Sequence, residues 1–343
     1  MRLTSENRVA ILLHEGIRGN HGKTGLAFLR YGKASIVVVI DQDCIGESLP
    51  ELTGIGKDVP IVANVAEALA YNPDVLLIGI APPGGALPDT WLQDVKKGVN
   101  AGLSLVNGLH TPLEGMFERL VQGQWIWDIR KEPKDLSIAS GKARSLSCQR
   151  ILTVGTDMSI GKMSASLELN RAAQQRDIKS KFLATGQAGI MISGEGIPLD
   201  AIRVDFAAGA VEKMIMDAGD DYDLLIIEGQ GSLVHPGSTA TLPLIRGSQP
   251  TGLILVHRAG QKHIRYLPEI SIPPLSEMVR LYEMVASVGG SFGKVKVKAI
   301  ALNTFHLNHP EAEEEIAKIQ QETGLPCTDV VRFGADSLLD IFL

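Results

Sequence analysis

The densest chemical signal in the chain is the run Gly155-Thr156-Asp157-Met158-Ser159-Ile160-Gly161-Lys162-Met163-Ser164. An apolar run over 150–154 feeds it, and a helical pattern over 163–176 follows it. Successive backbone N–H groups at a helix N-terminus form an anion cradle, a glycine admits close approach, and a lysine adds a point charge. The chemistry is phosphate or pyrophosphate binding by Gly155, Thr156, Asp157, Ser159, Gly161, Lys162, Met163 and Ser164. Met163 stands where a hydroxyl usually follows the lysine, so Ser164 becomes the candidate magnesium ligand if a metal nucleotide binds. The plain alternative is a structural turn opening a helix.

Other run ends carry further candidates. The apolar run 224–227 delivers Glu228, followed by Gly229-Gln230-Gly231-Ser232, to the carboxyl end of a strand. In a parallel sheet that end lies beside the phosphate loop. Glu228 would hold magnesium in an ATP enzyme, or act as a general base where no metal takes part. Gln187, after 181–184, and Asn303, after 297–302, are candidate cofactor contacts together with Gln230 and Gly231. Gly and Asn also favour turns in their own right. His110, past the run 103–106, and His235, in Leu233-Val234-His235-Pro236, are two more base candidates. Each reads equally well as a satisfied structural histidine.

These residues need a scaffold, and the alternation supplies one. Strands are expected over 9–13, 35–40, 75–80, 103–106, 150–154, 181–184, 224–227, 252–256 and 297–302. Helical patterns fall over 64–70, 91–101, 163–176, 202–218, 275–288 and 311–323. Near-continuous apolar strands joined by helices mean a parallel sheet covered on both faces. The fold class is α/β. A polar, aperiodic stretch around 131–145 divides the chain into a Rossmann-like parallel-sheet domain, 1–145, and a P-loop NTPase-like three-layer α/β/α domain, 146–343.

The first domain holds a second phosphate-loop-like string, which reads as a decoy (a structural turn, or a contact to the second domain's ligand) as well as it reads as an independent nucleotide site. Gly16-Ile17-Arg18-Gly19-Asn20-His21-Gly22-Lys23-Thr24 also follows a strand, but its helix is short. Asp41 ends the next run, where a dinucleotide fold places its ribose-binding acid, yet Gly-x-Gly-x-x-Gly is missing and NAD is disfavoured.

Composition bounds the remaining classes. Lys plus Arg total 33 against 39 Asp plus Glu, a formal charge of −6 without a basic block, which argues against a nucleic-acid partner. No run approaches the ~20 apolar residues of a spanning helix, so no membrane partner is expected. The N-terminus lacks the apolar stretch of a signal peptide, and Cys44, Cys148 and Cys327 are widely spaced; buried thiols in a cytoplasmic protein follow.

The phosphate loop resembles that of dethiobiotin synthetase and related ATP-dependent amide-forming enzymes. A wider pattern resembles a different group. Gly155-Thr156-Asp157 with Gly161-Lys162-Met163, Thr185-Gly186-Gln187, Asp205-Phe206 with Gly209-Ala210 and Glu212, Glu228 to Ser232 with His235-Pro236, and Gly108-Leu109-His110 together carry it. They are similar to a bacterial family long classed as a domain of unknown function and typified by D-glutamate N-acetyltransferase (DgcN-type). Ala188 departs from that pattern, where a hydroxyl is more usual. The resemblance implies a Rossmann-like domain joined to a P-loop domain, and acetyl transfer from acetyl-CoA to the amine of a small amino acid, D-glutamate. A base must then deprotonate the amine, with Glu228, His110 and His235 as candidates in that order. Arg203, Arg258 and Lys262 are open choices for the substrate carboxylates.

Two other classes stay open on the residues alone. One is an ATP/Mg-dependent ligase or kinase using Ser164 and Glu228 for metal; the other is a nucleotide- or CoA-sensing module without turnover. Domains of this kind commonly form homo-oligomers, although no apolar stripe here demonstrates one.

Overall fold

Strand-forming runs of Val, Ile and Leu build two separate six-stranded sheets in the computed structural model, which describes residues 3–19, 21–82, 84–288 and 293–343. Asn20 of the decoy loop lies outside the described residues. The first sheet contains β1 (Arg8–Leu12), β2 (Ser35–Ile40), β3 (Ile61–Val62), β4 (Val75–Ile78), β5 (Ser104–Asn107) and β6 (Ile126–Asp128) in the order β3-β2-β1-β4-β5-β6. Every pairing in it is parallel. The second contains β7 (Gln149–Gly155), β8 (Ser180–Leu183), β9 (Leu224–Ile227) and β10 (Gly252–Arg258). A hairpin, β11 (His263–Ile264) with β12 (Leu267–Ser271), precedes the last two strands, β13 (Val297–Asn303) and β14 (Cys327–Thr328). Its order is β14-β13-β10-β7-β9-β8, again all parallel. Parallel strands need crossovers, and the intervening helices supply them.

The nine expected strands are all present, shifted at most two residues at either end. The short strands β3, β6 and β14 were not legible, because two or three residues carry no period. Both sheets are buried on two faces: β4, β5 and β9 are buried at every position. All three cysteines are buried free thiols, and burial pushes Cys327 up to about 12. Among the described residues no helix is long and apolar enough to cross a membrane.

The compact units do not follow a single cut near 145. One contains residues 1–132 together with 187–201; the other contains 133–186 and 202–343. The helix Gln187–Ser193 therefore packs with the first unit although it follows β8 of the second sheet. Gly108, in the loop after β5, has space for no Cβ, because Met191 Cε stands 2.6 Å from where one would be.

Within the second unit, the polar stretch ahead of β7 is fastened by the helix Val204–Gly219. A side chain at Gly209 would collide with the carbonyl of Ser137. One turn on, the Glu212 carboxylate accepts from the Ser140 amide (2.9 Å), the Ser140 hydroxyl (2.9 Å) and the Lys142 amide (2.7 Å). Burial alone would raise its pKa, but these donors outweigh it and hold the carboxyl below its ordinary value. The sign follows: its contribution is present above the unfolded pKa and fades as pH falls through the lower folded value. Glu212→Gln is expected to destabilise by about 1–3 kcal/mol at neutral pH, with the gap closing in denaturant melts at acid pH.

The decoy loop is packed on itself. Gly16 and Gly22 touch backbone to backbone, and a Cβ on Gly16 would stand 2.9 Å from Gly22 Cα. Asp41 is fully buried and accepts from the amides of Glu15 (3.2 Å), Ile17 (3.3 Å) and Asp43 (3.2 Å). Its carboxylate closes this turn.

Candidate active site

Register places the chemistry. In the pairing of β7 with β9, Leu152 faces Ile227, so Glu228 emerges beside Thr153 just ahead of the phosphate loop. On the far side Leu183 of β8 faces Ile227, which puts Thr185 and Gly186 against Glu228. Three adjacent strand ends thus converge at the carboxyl edge, where open parallel sheets bind ligands.

The loop is fixed by its own side chains. Thr156 is buried, with its hydroxyl 2.9 Å from Nδ1 of His257, whose pKa burial lowers to about 4, keeping the ring neutral. Asp157, 1% exposed, accepts from the Met158 amide (2.6 Å), from Gln261 Nε2 (2.6 Å) and from the Arg265 amide (2.7 Å). The β11–β12 hairpin is thereby tied to the loop. Ser159 (φ +57) and Gly161 (φ +115) are both left-handed, the kind of backbone reversal from which anion-binding nests are built. Gly161 precedes the helix Lys162–Gln175 without a capping side chain, leaving the first-turn amides for an anion. Asn303 donates from Nδ2 to the Ile160 carbonyl (2.9 Å) and accepts the Phe305 amide (3.1 Å), pinning the loop to β13.

Lys162 is 6% exposed and its Nζ donates to the Asp157 carbonyl at 2.7 Å. Its stem runs past two glycines: a Cβ on Gly155 would stand 3.0 Å from Nζ, and one on Gly229 would stand 3.0 Å from Cδ. The Ser166 hydroxyl joins the Lys162 carbonyl to Thr153 Oγ1, and Thr153 Oγ1 accepts the Gly229 amide at 2.9 Å. A side chain at Gly229 would also overlap the Thr153 carbonyl. Gly229→Ala is expected to cost about 1–3 kcal/mol of stability through overpacking and to displace Glu228, which melting and rate measurements together would register. Tyr282, fully buried in the helix Leu275–Ser287, donates to the Gly155 carbonyl (2.7 Å) and accepts the Leu233 amide (3.2 Å). Met163 and Ser164 are half-buried, and the Ser164 hydroxyl has no hydrogen-bond partner among the described residues.

Glu228 is 3% exposed. Oε2 accepts the amides of Thr185 (2.8 Å) and Gly186 (3.1 Å), while Oε1 accepts Gln230 Nε2 (3.1 Å). Burial raises its pKa to about 7, against the opposing pull of those amides, the Lys162 charge and Gln230. A carboxyl so placed exchanges a proton near neutrality, as a general base requires. Gln230 thus braces Glu228, and Gly231 (φ +70) turns the chain where a Cβ would strike Ser238 Oγ.

The remaining candidates make other contacts. His235 is partly exposed and its Nδ1 accepts the Gly237 amide at 3.0 Å, closing its own turn. His110 and Gln187 belong to the first unit. His110 is 55% exposed with Nε2 4.0 Å from Asp200 Oδ2, and Gln187 Nε2 lies 3.4 Å from Thr24 Oγ1. Arg203 stacks on Phe206, 4.8 Å from its ring centre. Among the described residues no three His, Cys, Asp or Glu side chains gather to hold a metal ion. Arg130, which the sequence did not single out, has a buried side chain after β6 and pairs with Asp200. The signal was an arginine closing Ile126-Trp127-Asp128, a strand too short to recognise.

Residues 137–339 match the family model described as "Domain of unknown function (DUF1611_C) P-loop domain". The chain belongs to the DUF1611 family. Residues 42–132 match the companion Rossmann-like domain of the same family, DUF1611_N. This DUF1611 chain is 63% identical to a family member from Anabaena variabilis whose crystal structure superposes with a TM-score of 0.95, covering 98% of this chain and 99% of the other. It is 37% identical over 296 residues, 84% of this chain and 87% of the relative, to a protein of Tritonibacter scottomollicae named D-glutamate N-acetyltransferase. A Pseudoalteromonas protein of the same name is 35% identical over 305 residues, covering 86% of this chain and 89% of the relative.

Proposed function

We propose that this chain moves an acetyl group from acetyl-CoA to the amine of D-glutamate, giving N-acetyl-D-glutamate. The observation that carries the mechanism is the buried Glu228, poised to titrate at about 7 beside the loop lysine. The names of two relatives at 35% and 37% identity support the substrate pair. Acetyl-CoA presents a pyrophosphate and a ribose phosphate, and the uncapped helix start with Lys162 suits such an anion without nucleotide hydrolysis. The cradle fits the group because Gly161 is left-handed and the helix that follows it starts without a capping side chain.

An amino acid arrives with its amine protonated. Glu228, ionised, takes that proton and leaves a lone pair for attack on the thioester carbonyl. The amine nitrogen bonds to the acyl carbon, the carbon–sulfur bond breaks, and the leaving thiolate takes up the second proton that the nitrogen gives up on becoming an amide. Donors fixed before the reaction stabilise the tetrahedral oxyanion, and the amides of Gln230 and Gly231 are the groups at hand. Purified protein incubated with acetyl-CoA and D-glutamate is expected to release free thiol, dependent on both substrates and on no nucleotide. Failure to release thiol with a panel of D- and L-amino acids overturns this reading.

The unpartnered Ser164 hydroxyl favours one rival, an ATP–magnesium enzyme with Ser164 and Glu228 at the metal. Calorimetry decides between them: ATP–magnesium binding at the loop, with none by CoA, replaces acetyl transfer by phosphoryl chemistry.

A further inference from the structure

The hairpin β11–β12 follows β10 and is fastened to the phosphate loop at two points. The buried Asp157 carboxylate of that loop accepts Gln261 Nε2 (2.6 Å) and the Arg265 amide (2.7 Å), both through Oδ2. At the other end, the Ala259 amide donates to the Asn303 carbonyl (3.0 Å), and Asn303 Nδ2 holds the Ile160 carbonyl of the loop (2.9 Å). Within the hairpin, Gln261 Nε2 also donates to the His263 carbonyl (2.9 Å), and the Lys262 carbonyl accepts the Ile272 amide (2.8 Å). Whatever the segment 258–266 presents is therefore held in a fixed place beside the loop.

It presents cations and one aromatic ring. Arg258, Lys262, His263 and Arg265 fall in 258–266 with no acid among them, in a chain whose formal charge is −6. Lys262 and His263 are exposed, and Arg258 is half-buried. Tyr266 turns the chain between the two strands at φ +68, a left-handed conformation that a bulky side chain rarely adopts and that glycine holds without strain. Its ring is 72% exposed, with the Arg265 guanidinium 4.8 Å from the ring centre. A ring so exposed adds little to the core, and strain kept at such a residue points to a ligand.

We propose that this hairpin holds the 3′-phosphoadenosine end of CoA, with Lys262 and Arg258 on the 3′-phosphate and the Tyr266 ring, backed by Arg265, stacked on the adenine. This inference rests on the acyl-donor reading above and uses groups of the second unit alone. CoA carries its ribose phosphate apart from the pyrophosphate, so the donor needs a second anion site near the first. A phosphate monoester bears roughly 1.5 to 2 negative charges near pH 7. Lysine meets it as a point charge and arginine as a fork of donors. A purine offers a π-face for tyrosine, and a guanidinium on the far side of the ring strengthens the stack. Arg258 and Lys262, open choices for substrate carboxylates on the sequence alone, are thereby given to phosphate.

Calorimetry on the full chain tests it with CoA, dephospho-CoA and adenosine 3′,5′-bisphosphate, and thermal melting checks the fold of each variant. Wild type is expected to bind CoA roughly ten- to a hundredfold more tightly than dephospho-CoA, the worth of one or two charge-assisted contacts. That gap narrows as salt rises from about 0.05 to about 0.5 M, because the cations are solvent-accessible. In Lys262→Gln the gap shrinks by roughly tenfold while the affinity for dephospho-CoA stays as it was. Tyr266→Gly weakens all three ligands by roughly five- to a hundredfold, the worth of one base stack. It melts level with wild type, since relief of the left-handed strain offsets the freedom glycine adds to the unfolded chain. A tyrosine kept for folding gives the reverse, a lower melting point and an unaltered affinity. Should Tyr266→Gly not fold, Tyr266→Asn replaces it, asparagine being the other residue at home at positive φ. Equal affinities of wild type for CoA and dephospho-CoA, or a gap untouched in Lys262→Gln, overturn the phosphate assignment, and a folded position-266 variant with normal CoA affinity overturns the stack. Either result, with CoA still bound and thiol still released, leaves acetyl transfer standing. Wild type that binds none of the three ligands removes the CoA reading and this inference together.

Discussion

Glu228→Gln is expected to turn over D-glutamate roughly a hundred- to ten-thousand-fold more slowly than wild type, the usual range for losing a general base. Glutamine keeps the shape, and its carbonyl oxygen still accepts the Thr185 and Gly186 amides, so binding of the acyl donor stays close to normal. The pH profile separates a base from a structural prop. In wild type kcat/KM climbs with pH through about 7, where Glu228 loses its proton, and then levels; in the variant that limb disappears. Stability moves the opposite way. Burial raises this carboxyl from 4.5 to about 7 in the folded protein, so the folded state holds the proton more tightly than the unfolded chain. Its contribution is full below the unfolded value and is lost as pH rises through about 7. At one pKa unit per 1.36 kcal/mol, the ionised carboxyl costs up to roughly 3 kcal/mol at alkaline pH. Glu228→Gln therefore melts higher than wild type at alkaline pH and level with it near pH 4. Initial rates and melting curves over the same buffers read both effects. A variant that retains the acidic limb transfers the base role to another group.

The same physics explains which features were legible in the sequence. β4 and β9 were found because strands buried on both faces are apolar throughout, and that pattern needs no partner to be recognised. The phosphate loop was legible for a related reason: its backbone conformation demands Gly161, and its charge demands Lys162. Side-chain roles within it were less so. Thr156 and Asp157 share the loop with Lys162, and Asn303 of β13 abuts it, yet their polar atoms are turned to His257, to the hairpin and to Ile160. Sequence spacing cannot tell a side chain that meets a ligand from one that fixes the loop. Glu212 and Gly209 have the same lesson. They looked like part of a chemical pattern, and the fold uses them to fasten the stretch before β7. The destination of 187–201 was invisible, because the choice of sheet depends on contacts such as Met191 against Gly108 that lie far apart along the chain. Arg130 was hidden by the same distance: its pairing with Asp200 spans the whole phosphate-loop region.

Lys162→Met gives the second large effect, and the choice of acyl donor makes it diagnostic. Methionine keeps an apolar stem to lie along Gly155 and Gly229 while removing the ammonium that donates to the Asp157 carbonyl. Losing one preorganised charged donor lowers kcat/KM by about a hundred- to a thousand-fold when it acts on a charge that the reaction or the substrate supplies. With acetyl-CoA the full loss is expected. Acetyl-pantetheine lacks the pyrophosphate and the nucleotide, so a lysine that works on phosphate has nothing to lose with it, and the variant then differs little from wild type. The comparison is a cycle in which substrate and side chain each remove one half of the same contact. Equal losses with both donors place the ammonium at the reacting carbonyl instead, and the phosphate role falls. A further consequence is electrostatic. Lys162 is one of the groups holding the Glu228 pKa down against burial, so removing its charge moves that carboxyl higher still. The acidic limb of the rate profile shifts to higher pH in Lys162→Met, and it does so with either donor. That shift ties the anion cradle and the base into one electrostatic unit, a coupling that two independent sites on the same sheet edge would not produce.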